Sequence, residues 1–279
     1  MTISSNNNNI QTYLNNDVQL NQTLQRVASG LQINKAADNA ASLAISENLN
    51  VQANGLYQSM ENVNSALAMT QIGDKAMGEQ SSILDNVKKD LLQASTDTTS
   101  QEGREALLQN IQKGLEQLNN IASQTNYNGT SLLQESASNK EASVTQEFQA
   151  GNGSSDTIQT TAVQANTTGL GLEGLQNQDA STFNASTARS YLDKIDEALS
   201  TLNSNRAEFG STANQLQSSN RNLASQYTST MEARSVLTDI DYSKETSNFS
   251  KQNILAQVGA MGFAQSNNIN QLMVSRLLQ

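Results

Sequence analysis

The sequence predicts a mostly α fold: a long antiparallel helical bundle or coiled coil formed by both chain ends, with a small β-rich insert in the middle. Three observations predict it. Ile10, Tyr13, Leu14, Val18, Leu24, Val27 and Leu31 recur in steps that make a narrow apolar stripe on one helix. Ile254, Leu255, Val258, Met261, Ile269, Leu272, Met273 and Leu277 make a second such stripe at the other end. The chain has no proline, the residue that breaks helix interiors by removing a donor and clashing with the preceding turn.

The first stripe would span about 33 Å at 1.5 Å per residue. Alone such a helix is marginal in water, because so thin a stripe does not offset the entropy of ordering. The two ends are therefore expected to pair. The segment before them, Met1 to Asn9, is rich in Asn and is expected to be disordered in the free chain. Gly30 stands where a C-terminal helix cap belongs. A second helix is expected from Asp38 or Asn39 to Ala94, with apolar residues from Leu43 to Leu92 at helical spacing. Gly55, Gly73 and Gly78 each weaken it by about 1 kcal/mol relative to Ala, and are expected where helices approach closely.

Ser95 to Ser100 reads as a turn, and Thr99 with Glu102 has capping-box spacing for a third helix to about Ser123. So short a connection makes it antiparallel to the second. At Asn126-Tyr127-Asn128-Gly129 the period changes, and Asn-Gly favours a type I′ hairpin. Val144 to Ala150 and Asp156 to Gln164 alternate weakly around Asn152-Gly153, as a second hairpin would. Gly169 to Asn184 reads as irregular. Helical signal resumes near Ser186, runs to about Ala233, and after a connector at Val236 to Tyr242 continues to the C-terminus. The expected organisation is a terminal helix segment over 1–40, half of a helical domain over 41–138, an exposed insert over 139–184, the second half over 185–235, and the returning terminal helix over 236–279.

Composition narrows the function. The 279 residues carry a net charge of −10 and a pI near 4.5. No basic patch exists to release counterions from nucleic acid, nor to hold an anionic membrane surface. No apolar run approaches a membrane span, and the N-terminus lacks the pattern of a cleaved signal peptide. With neither His nor Cys, catalytic triads, thiol nucleophiles and His-bearing zinc sites are excluded. No phosphate-binding Walker loop occurs, and Gly169-Leu-Gly171 has no strand-helix context for a cofactor. Asp239 and Asp241 have too few oxygen partners for a metal site and read as a solvated connector that caps the next helix. Lys88 and Lys89 beside Asp85 and Asp90 read as a solvated mixed-charge face. The methionines at 60, 69, 77, 231, 261 and 273 read as ordinary packing. No enzyme activity and no cofactor are expected. Leu, Ile, Val and Phe are about a fifth of the chain, near the border of disorder. So little apolar material suits thin seams completed by neighbouring molecules.

Arg26 to Ser46, Gln124 to Leu133, Ala233 to Tyr242, Ile254 to Gly259 and Ala264 to Asn267 resemble, in that order, the signature segments of the bacterial flagellins. The polar Met1–Asn9 departs from that family's usual opening. The resemblance implies a subunit of the extracellular flagellar filament, exported through the flagellar type III apparatus without a cleaved signal and assembled under a tip cap. It implies a homopolymer whose core packs Ile10, Leu14, Val18, Leu24, Val27, Leu31, Ile254, Leu255, Val258, Ile269, Leu272, Met273 and Leu277. It also implies an export chaperone and hook-filament junction proteins as partners. Ser154, Ser155, Thr157, Thr160 and Thr161, with Thr167 and Thr168, are candidate O-glycosylation sites, as in related flagellins. The helix face matching the family's innate Toll-like receptor contact keeps Leu84, Val87 and Gln93, and Lys88 keeps a cation. It has Asn86 for an arginine and Asp90 for a leucine, so weak or absent activation is expected. Alternatives are a hook-filament junction protein, an enzyme carried in the middle segment, and a stand-alone cytoplasmic coiled coil.

Overall fold

In a computed structural model the described residues form six α-helices, a short 3-10 helix and two small hairpins. The structure describes residues 2–134 and 143–277, with the side chains of 2–10, Asn270, Met273 and Leu277 left outside the description. The order is α1 (Thr2–Ser29), α2 (Ala40–Ala94), α3 (Gln101–Gln124), β1 (Asn126–Tyr127), β2 (Thr130–Ser131), β3 (Glu147–Gln149), β4 (Thr157–Gln159), α4 (Glu173–Gln176), α5 (Ala185–Thr238) and α6 (Tyr242–Leu277). Contacts divide the chain into a terminal unit, Met1–Ala53 with Thr228–Gln279, and a central unit, Asn54–Tyr227.

In the central unit, α2 buries Leu56, Ser59, Val63, Ala66, Thr70, Gly73, Met77, Gln80, Leu84, Val87, Leu91 and Ala94. The steps alternate three and four throughout, which is the heptad period of a coiled-coil seam. The third helix answers with Leu108, Ile111, Leu115, Leu118 and Ala122. From α5 come Ala188, Ile195, Leu202, Phe209, Leu216 and Leu223, each seven residues on. Cross-links fix the directions. Arg104 Nε donates to Ala94 O (3.1 Å), and Gln80 Nε2 to Leu118 O (3.1 Å). Residue numbers thus rise on α2 as they fall on α3. The same holds for α5: Asn220 bonds Asn64, Arg206 pairs with Asp74, Lys88 with Asp196, and Arg189 with Asp97. Exposed pairs of this kind contribute at most about 1 kcal/mol each, so their use here is in setting register.

Local signals explain the boundaries. Asn39 Oδ1 accepts from Ser42 N at the start of α2. Gly30 ends α1 at φ +73°. The cap of α3 is Ser100, which accepts from Gly103 N. It is not Thr99, whose hydroxyl instead donates to Gln93 O. The first hairpin has Asn128 and Gly129 at φ +50° and +81°, as a type I′ turn requires. At Gly73 an added Cβ would fall 2.5 Å from the Phe209 ring, and at Gly55 it would fall 2.0 Å from Asn152 Oδ1. Those two glycines admit close neighbours, whereas Gly78 meets only Arg206 at ordinary distance.

Three expectations are corrected. Helix α1 begins at Thr2, not near Ile10. Once nucleated downstream, a helix adds one backbone bond per residue, and 2–9 contain neither Gly nor Pro to stop it. The methionines are not all packing residues, because Met261 is 73% exposed. The stretch 139–184 is not simply an exposed insert. Residues 135–142 lie outside the described residues. Of the rest, β3 and β4 pair antiparallel as Glu147↔Gln159, Phe148↔Ile158 and Gln149↔Thr157. Phe148 packs against the core, and Ser219 on α5 bonds Ala150 O. Leu170, Leu172, Leu175 and Phe183 are buried in the same core as α2, α3 and α5. Gln80 Nε2 also reaches Ala165 O at 2.7 Å and fastens this segment to the helices. An irregular spacing carries no period to read, so only the fold shows its burial.

Candidate functional site

Among the described residues no group of three or more acidic, His or Cys side chains could hold a metal. No described helix is long and apolar enough to cross a membrane. The feature that calls for an explanation is the terminal unit.

Its two halves meet in a clasp. Leu31 and Asp239 form an antiparallel bridge. Gln32 N donates to Thr238 O (2.6 Å), and Ile240 N to Gly30 O (3.2 Å). The Tyr242 hydroxyl lies over Gly30, where a Cβ would sit 3.1 Å from it. Arg26 pairs with Glu245 at 3.8 Å. Asp38 Oδ2 accepts from Asn34 N and Lys35 N. The Asn34 amide, more than Lys35, holds that carboxyl below its ordinary range. Asp241 Oδ1 accepts from Lys244 N and so caps α6.

Beyond the clasp, α1 and α6 lie together over a mixed seam of polar, small and apolar residues. On α1 these are Asn16, Leu20, Thr23 and Val27, again three and four apart. On α6 they include Gln252, Ala256 and Gly259. Asn16 Nδ2 donates to Gln252 O (3.1 Å), and the buried Thr23 hydroxyl donates to Gln252 Oε1 (2.8 Å). Gly259 receives the Tyr13 ring.

The bulky residues expected to close this pair do not close it. Leu14, Val18, Leu24, Ile254, Leu255, Val258, Ile269 and Leu272 are all about half exposed or more. Only Val27 and Leu31 are partly covered. The side chains of Ile10, Met273 and Leu277 lie outside the described residues. The helices pair, but over the mixed seam of Asn16, Leu20, Thr23 and Val27 against Gln252, Ala256 and Gly259. A stripe of large apolar residues marks a face that something must bury; it does not say that the same chain buries it. Sequence reasoning also missed exposed members of this surface. Ile45, Val51, Val236, Phe263 and Val274 all lie in the terminal unit.

The contrast between the units is sharp. Among the described residues every buried apolar core side chain but Ile33 and Ala53 belongs to the central unit. Among the same residues every exposed large apolar side chain but Tyr57, Ile72 and Leu92 belongs to the terminal unit. Isolated exposed apolar residues need no explanation, but a set concentrated on two helices marks an interaction surface.

Two other sets of residues resolve differently from expectation. Thr160 and Thr167 are buried and hydrogen-bonded, Thr160 to Gln146 N and Thr167 to Asn119 and Gln176. They are unavailable to a sugar. Ser154, Ser155 and Thr161 are exposed, while Thr157 and Thr168 are half-buried. On α2, Leu84 and Val87 are buried in the helical core. The solvent face there is Asp85, Asn86, Lys89, Leu92 and Gln93, with Lys88 and Asp90 partly covered. Partial burial pushes the Asp90 carboxyl above its ordinary value.

Comparison with known proteins gives two family matches. Residues 2–138 match the bacterial flagellin N-terminal helical region, and residues 192–278 the bacterial flagellin C-terminal helical region. A relative named Flagellin B, from Helicobacter pylori strain J99, is 43% identical over 143 residues, 51% of this chain and 27% of that protein. The match thus spans only about a quarter of the length of that relative. A protein named Flagellin from Halalkalibacterium halodurans is 29% identical over 280 residues, 99% of this chain and 100% of that one. Among solved structures, one described as a flagellar hook-associated protein of Vibrio parahaemolyticus covers 72% of this chain and 99% of its own, with a TM-score of 0.58. At 10% identity it establishes the shared fold and nothing further.

Proposed function

Because this chain belongs to the bacterial flagellin family, we propose that it is a structural subunit that polymerises into the extracellular flagellar filament, the propeller for swimming. The observation that carries the proposal is the division just described. A central unit holds the core, and a terminal unit holds paired helices with their bulky apolar residues outside. Copies of the same chain stacked along α1 and α6 would cover Leu14, Val18, Leu24, Ile254, Leu255, Val258, Ile269 and Leu272. Electron microscopy of the purified protein after seeding tests this, and long filaments are expected. A short collar that stops growing would instead support a hook-filament junction protein, which shares the fold and has no other observation in its favour.

Several finer readings go with this one. The chain acts as a structural protein and not as an enzyme. It is exported without a cleaved signal, carried by an export chaperone, and inserted beneath a tip cap on a base of junction proteins. Exposed apolar terminal helices are the kind of surface a chaperone has to cover before assembly. The organisation that goes with this reading has 1–40 and 236–279 as filament-core segments, 41–138 and 185–235 as the two halves of a second helical domain, and 139–184 as the segment that carries the β3–β4 hairpin.

O-glycosylation, where it occurs, falls on Ser154, Ser155 or Thr161 and never on Thr160 or Thr167. Peptide mass mapping of filaments from the native host checks this; a sugar on either buried threonine would contradict the burial of that segment. Activation of the innate Toll-like receptor is expected to be weak. Asn86 stands exposed where a forked arginine donor is needed, and the partly covered Asp90 puts a carboxylate where leucine is needed. A cell reporter that responds to this protein as strongly as to a potent flagellin would refute that reading.

A further inference from the structure

The chain contains three Asn-Gly pairs, Asn54-Gly55, Asn128-Gly129 and Asn152-Gly153, and the fold treats them unequally. Asn-Gly is the dipeptide most prone to self-modification, because no Cβ hinders the glycine nitrogen. That nitrogen attacks the asparagine Cγ and closes a five-membered imide. Closure requires the nitrogen to swing toward Cβ about the Asn Cα–C bond.

Asn54-Gly55 lies inside α2. The helical ψ of about −42° leaves the Gly55 nitrogen off to one side, and its N–H is bonded within the helix. Asn128-Gly129 forms the type I′ turn, with Asn128 at φ +50°. The matching ψ of about +30° turns the nitrogen to the side opposite Cβ. Both pairs are held away from the reactive geometry by regular backbone structure.

Asn152-Gly153 is different. It sits in the bend between β3 and β4, outside any helix or strand, is exposed, and is not in the left-handed region. Gly153 N donates to Asp156 Oδ2 at 2.8 Å, so the amide proton that must leave already points at a carboxylate. Gly151 and Gly153 make room for that carboxylate. A Cβ on either would fall 2.7–2.8 Å from Asp156 Oδ2.

We propose that Asn152 is a site of spontaneous modification, converting to aspartate and isoaspartate with Asp156 as the proton acceptor. The Gly153 nitrogen forms a bond to Asn152 Cγ and releases its proton toward Asp156. The Cγ–Nδ2 bond breaks, and Nδ2 leaves as ammonia, taking up a proton. Water then opens the imide at either carbonyl to give the two acids. The consequence is local. Asn152 Oδ1 rests over Gly55 of α2, where even a Cβ would be 2.0 Å away. The product places an anion on that helix, and the isoaspartyl form adds a backbone carbon to the hairpin bend.

The test incubates the intact protein in mildly alkaline buffer and follows all three sites by peptide mapping, with isoaspartyl methyltransferase labelling. In the native state Asn152 is expected to convert faster than Asn54 and Asn128 by about tenfold or more. In guanidinium the three rates should converge. Equal native rates, a faster Asn128 or Asn54, or no product at Asn152 would overturn the proposal. Asp156→Asn should slow Asn152 alone, with Asn128 as internal reference and amide protection at Phe148 and Ile158 reporting that the hairpin persists. An unchanged Asn152 rate in that folded variant would remove Asp156 from the reaction.

Discussion

Leu24→Asp is expected to abolish filaments while leaving the free subunit folded. Leu24 is 50% exposed on α1 and stands outside the Asn16–Leu20–Thr23–Val27 seam. In the monomer the substitution meets water, and its cost is that of a poorer helix former, about half a kcal/mol. In a polymer that covers this face, the same carboxylate is buried without a partner, at about 3–5 kcal/mol per subunit. Each 1.4 kcal/mol is about tenfold in an association constant. The concentration needed for growth therefore rises by about a hundredfold or more, beyond what a seeded assay reaches. Circular dichroism and thermal unfolding of the variant should match the parent, and sedimentation should find no polymer. Filaments at the parent's concentration would mean that this face is not covered.

Phe183→Ala is expected to do the reverse: destabilise the subunit through its central unit and leave the assembly face untouched. Phe183 is fully buried and shares one core with Leu172, Leu175, Leu108 and Ala188. Removing a ring from such a site costs about 3–5 kcal/mol, through lost transfer energy and the cavity left behind. Against a typical domain stability of about 5–15 kcal/mol, that is a large fraction. Urea unfolding should show a lower midpoint at unchanged slope. Were the stretch around Phe183 an exposed insert, the change would stay within about half a kcal/mol.

These two residues also mark what could and could not be read in the chain. Several helix and turn boundaries were legible from local rules. Asn39 caps α2, Gly30 closes α1, and Asn128-Gly129 makes its turn. The heptad spacing of α2 and α5 was legible because its period persists over many turns. The cap of α3 was misplaced by one residue, since Thr99 and Ser100 are both good caps and only backbone geometry separates them. Burial of Leu170 through Phe183 was not legible, because scattered apolar residues without a period look alike in a loop and in a core. At the terminal helices the stripe was found and α1 does pair with α6, but the pairing leaves the stripe's bulky residues about half exposed. Thr23 and Gln252 look like surface residues in sequence, yet their hydrogen bond lies within the pair. Leu14, Val18 and Leu24 look like the pair's interior, yet about half of each stays exposed. Hydrophobic weight identifies a face that wants covering, and it is silent about which copy of the chain provides the cover.

Hydrogen exchange measured on the monomer and on the polymer tests the division between the units most directly. In the monomer, amides of Leu108 to Ala122 in α3 should exchange slowly, while those of Asn16 to Val27 in α1 and Gln252 to Ile269 in α6 exchange faster by orders of magnitude, for want of a core beneath them. In the polymer the α1 and α6 amides should become as protected as those of α3. Equal protection of α1, α6 and α3 in the monomer, or terminal helices that stay unprotected in the polymer, would contradict the account.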